Sequence, residues 1–238
     1  MKKKLLFLNH TLQIGGAEKI LVNLLKYIDK SKYDITVMTI VNGGIFIEDV
    51  EKIDLEKKDN IPVICSVGRL VYEKGVDILL KIHKKLIDNG VPNILWIIGE
   101  GIERASLEKY ISDNNLQNTV KLRGYQSNPY KYVAKSDLFV CSSRTEGLSG
   151  ARIEAALLCK PVVTTDTAGI VEIFGNSTEN ALITKNDLDS LYEGLYKILT
   201  NKDLYQKYSD NIANMENKFS IEKTISAIED SIDDLLKK

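Results

Sequence analysis

The sequence predicts an α/β fold: a parallel sheet with helices packed over it. Three observations carry that prediction. Short apolar runs alternate with amphipathic helical patterns along the chain. The runs are apolar on both faces, as strands covered on both sides must be. The alternation also breaks once, in a charged and polar stretch, and then restarts.

The first run is LLFLN, residues 5–9. GAEKILVNLLKYI follows, with Ile20, Leu21, Leu24, Leu25 and Ile28 at helical spacing, and then YDITVMTIV at 33–41 reads as a second strand. The break is GGIFIEDVEKIDLEKKDN, which reads as a boundary or linker. Beyond it six strands are expected, IPVICSVG, NILWIIG, TVKLRG, DLFVCSS, PVVTT and ALIT, with helices between them. Three helices are expected to close the chain, at 187–200, about 203–217 and about 220–236, with Asp187 capping the first. Residues 61–200 thus form a nearly complete Rossmann-like domain.

The expected organisation is a β-α-β unit over 1–55, the Rossmann-like domain over 56–218 and a last helix over 219–238. A lone β-α-β unit leaves sheet edges and a face uncovered. The last helix has a matching apolar stripe, Ile221, Ile225, Ile228, Ile232 and Leu235, and is expected to pack back on that unit. A coiled-coil dimer is the lesser alternative, since the stripe covers barely two heptads. A partner chain or a homodimer could cover the unit instead.

Composition narrows the function. The 238 residues are 44% hydrophobic and 27% charged with a net charge of −1, ordinary for a globular protein and without the basic clusters of a nucleic-acid binder. The apolar run in MKKKLLFLN is too short for a signal peptide, and no stretch approaches a membrane span. Cys65, Cys141 and Cys159 show no CxxC spacing and read as buried free thiols. His10 and His83 are too few and too isolated for a metal cluster, and each reads as structural. A cytoplasmic protein without a metal is expected.

Ligands of open α/β sheets bind beyond the carboxyl ends of the strands. After IPVICSV comes GRLVYEKG: Gly68 permits a tight turn, Arg69 follows, and Lys74 begins the next helix. Two cations at one strand end suit a diphosphate, or simply solvate a loop. After DLFVCSS comes RTEGLSGARIEAALL, in which Gly147, Leu148, Ser149 and Gly150 would open a helix whose free N–H groups attract anions. Glu146 precedes that turn, and Glu154, eight positions later, lies about one helical turn beyond it. A pyrophosphate on the helix N-terminus would have a carboxylate toward each end, Glu154 for a ribose diol and Glu146 for the group beyond the second phosphate.

GRLVYEKG, the eight-residue glutamate spacing and the following EAALLCKPVVTTDTAGIVEI resemble the C-terminal nucleotide-binding half of family-4 glycosyltransferases of the GT-B fold. IGGAEKILVNLL resembles the glycine loop and first helix of that family's acceptor domain, most of which this sequence does not show. The resemblance implies that Arg69 and Lys74 hold the donor diphosphate, Glu154 the ribose and Glu146 the donor sugar hydroxyls. It implies that the amides of Gly147, Leu148 and Ser149 meet sugar hydroxyls or phosphate oxygens. Tyr125 falls near the nucleobase, a surface tyrosine being the equal alternative, and Gly15 and Gly16 match the loop that approaches the phosphates from the other domain.

The implied reaction is transfer of a sugar from a nucleoside diphosphate sugar, a UDP-sugar by preference, to a glycan or lipid-linked acceptor. It would retain the anomeric configuration, use no metal or other cofactor, and make peripheral contact at the inner membrane face. A non-catalytic nucleotide-sugar-binding module or subunit is the alternative, and a related epimerase a more distant one. Ser149, Gly150, Ala151 and Arg152 depart from the proline and aliphatic residues often found between the two glutamates, and Arg152 would crowd the site or point to solvent.

Overall fold

The computed structural model describes residues 3–9, 32–39, 61–175 and 179–215. The chain divides into two compact units. In the first, strands β1 (Lys3–Asn9) and β2 (Tyr33–Thr39) pair in parallel, from Lys3 opposite Tyr33 to Asn9 opposite Thr39. A parallel pair requires a crossover connection. The helix expected there, His10, Gly15 and Gly16 lie outside the described residues, as do the linker at 43–60 and the last helix with its isoleucine stripe.

The second unit, Val50–Glu216, contains every other element. Its strands are β3 (Val63–Val67), β4 (Ile94–Ile98), β5 (Val120–Leu122), β6 (Leu138–Cys141), β7 (Val162–Thr165) and β8 (Leu182–Thr184). Its helices are α1 (Val76–Asp88), α2 (Arg104–Asp113), α3 (Tyr130–Lys135), α4 (Gly150–Leu157), α5 (Ile170–Phe174), α6 (Leu188–Thr200) and α7 (Lys202–Ala213). All six expected strands are present. They form one parallel sheet in the order β5-β4-β3-β6-β7-β8.

This order positions the site. The chain winds outward from β3 to β5, returns to the middle and winds the other way from β6 to β8. Neighbouring β3 and β6, with Ile64 opposite Leu138 and Cys65 opposite Phe139, therefore send their following loops to opposite sides. The crevice left between those loops is where such sheets bind ligands.

The core explains the sequence pattern. Strands β4, β6 and β7 are buried along their whole length, which is why they read as unbroken apolar runs. Edge strands β5 and β8 are only partly buried. Helix α1 turns Leu79, Leu80, Ile82, His83 and Leu86 inward. His83 is buried with Nδ1 2.7 Å from Asn93 Oδ1 and Nε2 2.9 Å from Thr119 Oγ1, a structural role as expected. Burial lowers its pKa to about 4, so the ring is neutral at pH 7. Asp187 caps α6 by accepting from the Ser190 amide at 2.7 Å.

The expectation of three buried thiols needs one correction. Cys65 and Cys141 are buried, but Cys159 is exposed. Cys159 sits just past the end of α4 with φ of 52°, while Lys160 N donates to Ala155 O at 3.0 Å. That is the left-handed residue of a helix-closing motif, a place that turns the side chain away from the core.

Candidate functional site

The crevice between the loops after β3 and β6 is lined by Gly68, Lys74, Ser142, Ser143, Glu146 and Ser149 among others. The loop after β3 is pinned to its neighbour by Gly68 N donating to Ile98 O at 3.0 Å and Leu70 N to Glu100 O at 2.8 Å. Gly68 does not itself need to be glycine for this turn. A Cβ there would meet the Lys74 side chain at an ordinary 3.6 Å. The residue that must be glycine is Gly75, at φ 63°, where a Cβ would lie 2.1 Å from the Ser142 carbonyl oxygen. That close approach brings the start of α1 against the end of β6.

Lys74 and Glu146, 72 positions apart, meet across the cleft at 2.5 Å, and Ser143 Oγ donates to the same carboxylate oxygen at 2.9 Å. Ser142 Oγ donates to the Lys74 carbonyl at 3.0 Å, so both loops hold each other at the strand ends. The exposed Arg69 side chain makes no hydrogen bond or ion pair with the other described residues. Its guanidinium is available to an incoming anion.

Helix α4 begins at Gly150, with Ser149 as its N-cap. No side chain caps it, which leaves N–H groups of its first turn for a ligand. Gly147 and Leu148 are exposed at the rim, whereas Ser149 is buried in the cleft wall. Glu154, the fifth residue of α4, accepts a hydrogen bond from Tyr130 OH at 2.9 Å, the hydroxyl arriving from the first residue of α3. Tyr125 follows β5, is 48% exposed and is not among the cleft-lining residues. The fold therefore collects Gly68, Lys74, Glu146 and Ser149 into one wall with Arg69 beside it, and sets Tyr125 two strands away.

Arg152 corrects a second expectation. It neither crowds the cleft nor faces solvent, but is fully buried, with Nη2 2.7 Å from Thr167 Oγ1. The cause is its place in α4: Ala155 and Ala156, on the buried side of that helix, leave room for a long side chain to lie along the end of β7.

One clamp escaped the sequence reading. Arg144 donates to both carboxylate oxygens of Asp77 at 2.8 Å, stacks 4.0 Å from the Tyr72 ring and donates to the Tyr72 carbonyl at 2.6 Å. The Arg144 amide also donates to the Glu73 carbonyl at 2.7 Å. Burial works to raise the Asp77 carboxyl, but the Arg144 hydrogen bonds and charge outweigh it and hold the group below the usual carboxylate range. The clamp joins the loop that carries Lys74 to the loop that carries Glu146. No spacing motif announces it, because its members are 67 positions apart.

Among the described residues, no cluster of three or more His, Cys, Asp or Glu side chains could hold a metal ion. No described helix is long and apolar enough to cross a membrane.

The family model described as glycosyl transferases group 1 matches residues 48–215. The N-acetylgalactosamine-N,N'-diacetylbacillosaminyl-diphospho-undecaprenol 4-alpha-N-acetylgalactosaminyltransferase of Campylobacter jejuni is 34% identical over 158 residues, 66% of this chain and 42% of the relative. The 2-deoxystreptamine N-acetyl-D-glucosaminyltransferase of Niallia circulans is 31% identical over 141 residues, 58% of this chain and 36% of the relative. The chain thus spans less than half the length of these two relatives. Among solved structures, HepE of Anabaena in complex with UDP and glucose superposes with a TM-score of 0.66 at 20% identity, over 74% of this chain and 49% of that one. At that identity the likeness is one of fold, and the fold is the GT-B type.

Proposed function

The chain belongs to the glycosyl transferases group 1, and from that membership we propose that the six-stranded domain holds the nucleoside diphosphate of a sugar donor, which the whole protein transfers to a glycan or lipid-linked acceptor. The observation that carries this reading is the meeting of Lys74, Glu146 and Ser143 at the crossing of β3 and β6, beside the uncapped start of α4 and next to Arg69. A UDP-sugar is the donor class we propose, in keeping with the UDP in the HepE structure.

In this reading Arg69 and Lys74 take the diphosphate oxygens, and the N–H groups of the Gly147–Ser149 turn and the start of α4 complete the anion site. Charge that builds on the leaving diphosphate is then met by donors already in place, with no reorganisation at the moment of transfer. Glu146, held by Lys74 and Ser143, faces the donor sugar hydroxyls. Glu154 accepts from the ribose diol, with Tyr130 fixing its carboxylate. Tyr125 lies at the nucleobase end. The reaction retains the anomeric configuration, and the protein's own cations do the work that a metal would otherwise do.

The test is a calorimetric titration of the chain with UDP, GDP and ADP. One of them, UDP by this reading, should bind saturably, and Glu154→Ala should weaken it by about 1–3 kcal/mol, the loss expected for a hydrogen bond to a charged group. A folded chain that binds none of the three would end this reading of the site.

A further inference from the structure

The wall behind the proposed anion site contains a charge that no described carboxylate opposes. The Arg152 side chain is fully buried. Its Nη2 donates to Thr167 Oγ1 at 2.7 Å and, more weakly, to the Thr165 carbonyl at 3.4 Å. Its Nε and Nη1 are buried with no hydrogen-bond partner among the described residues. Both partners it does have are neutral, and no described carboxylate pairs with it. A guanidinium removed from water in this way is costly, and replacing it with an apolar side chain would ordinarily be neutral or favourable for folding.

Its place in the fold suggests what opposes the charge. Arg152 is the third residue of α4, and its side chain reaches the residues that end and follow β7, at the carboxyl edge of the sheet. The loop after β7 lies directly against the β6–α4 turn: Gly169, at φ 80°, is so close to Gly147 that a Cβ would sit 2.5 Å from the Gly147 carbonyl oxygen. The guanidinium thus lies at the end of β7, whose following loop packs on the turn whose N–H groups face the cleft. The charges around the cleft make the point quantitative. A diphosphate brings on the order of two negative charges or more. Lys74 is already opposed by Glu146, which leaves Arg69 and Arg152 as cations of this wall outside any ion pair among the described residues.

We propose that Arg152 is the buried counter-charge of the anion site: it raises the affinity of the β6–α4 turn for the donor diphosphate from behind, while Arg69 and Lys74 act from in front. This rests on the donor-site reading above. Arg152 is a positioning residue in this scheme, since it acts through the turn and contacts no substrate. A charge in a low-dielectric wall acts on its neighbours more strongly than an exposed one does, which is what burying it achieves.

The test compares the wild-type chain with Arg152→Met and Arg152→Lys, using UDP and inorganic pyrophosphate by calorimetry and uridine by ligand-observed NMR. Arg152→Met should weaken UDP and pyrophosphate about tenfold, the loss of one charge-assisted interaction, and leave uridine within about twofold. Arg152→Lys should recover most of the loss, and ligand-free Arg152→Met should melt no lower than wild type. Unchanged UDP affinity in Arg152→Met, or equal losses for UDP and uridine, would overturn the proposal while leaving the donor site standing. Wild type binding pyrophosphate but not UDP would remove the base assignment and keep the counter-charge, and binding neither would remove both. Should Arg152→Met fail to fold, Arg152→Gln, which can still donate to Thr167, is read in the same way.

Discussion

Glu154 shows how much a single side chain depends on a partner that the linear sequence does not display. Its place early in α4 is visible as an eight-residue spacing from Glu146, but the hydroxyl that orients it comes from Tyr130, 24 positions earlier and on another helix. His83 is the reverse case, a residue with familiar chemistry whose surroundings remove it from function. Burial holds its pKa at about 4, below the 6.5 of a free imidazole. Between those values the unfolded chain binds a proton that the folded chain does not, so stability falls as the pH drops from about 6.5 toward 4. The contribution is on the order of 3 kcal/mol across that window. Chemical denaturation at several pH values should show wild type losing stability there more steeply than His83→Gln, and parallel slopes would refute the assignment.

Two loops, rather than any one residue, make the cleft. The turn after β3 carries Arg69 and Lys74, the turn after β6 carries Glu146 and Ser149, and Gly75 and the Arg144–Asp77 pair weld them together. Arg144→Met would strip Asp77 of its partner and release the weld. About a third of the Asp77 side chain remains exposed, so solvent screening limits the cost to fold stability to about 1–2 kcal/mol. The site should suffer in addition: diphosphate affinity is expected to fall by about tenfold, because Lys74 and Glu146 no longer share one fixed frame. A denaturation curve and a UDP titration on the same variant check both numbers, and full affinity in a destabilised variant would show that the clamp serves the fold alone.

The sheet order sets what the molecule can do. Winding outward from β3 and then from β6 puts two loops on opposite sides of one crevice, and the proposed donor site draws on the cations and helix start gathered there. Under the proposed function, prior treatment with EDTA should leave UDP affinity within about twofold and sugar transfer undiminished, whereas a loss restored by a divalent cation would assign the charge compensation to a metal. The stretch shared with this chain is 42% of one curated relative and 36% of the other. Transfer is therefore best assayed with candidate acceptors both on the chain alone and in cell extract.

Hydrophobic patterning was enough to place all six strands of the second unit, because a parallel sheet covered on both faces demands continuous apolar runs and the linear code displays them directly. Glycines and charges at the strand ends brought forward Arg69, Lys74, Glu146 and Glu154 as candidates, since ligands of such sheets gather where strands stop. Other features could not be read that way. Tyr130 on Glu154, Arg144 on Asp77, the burial of Arg152 and the outward turn of Cys159 depend on which strands become neighbours and how each helix ends. Periodicity is a property of one segment and survives in the sequence. A contact between side chains 24 or 67 positions apart exists only once the sheet order has brought their loops to the same edge.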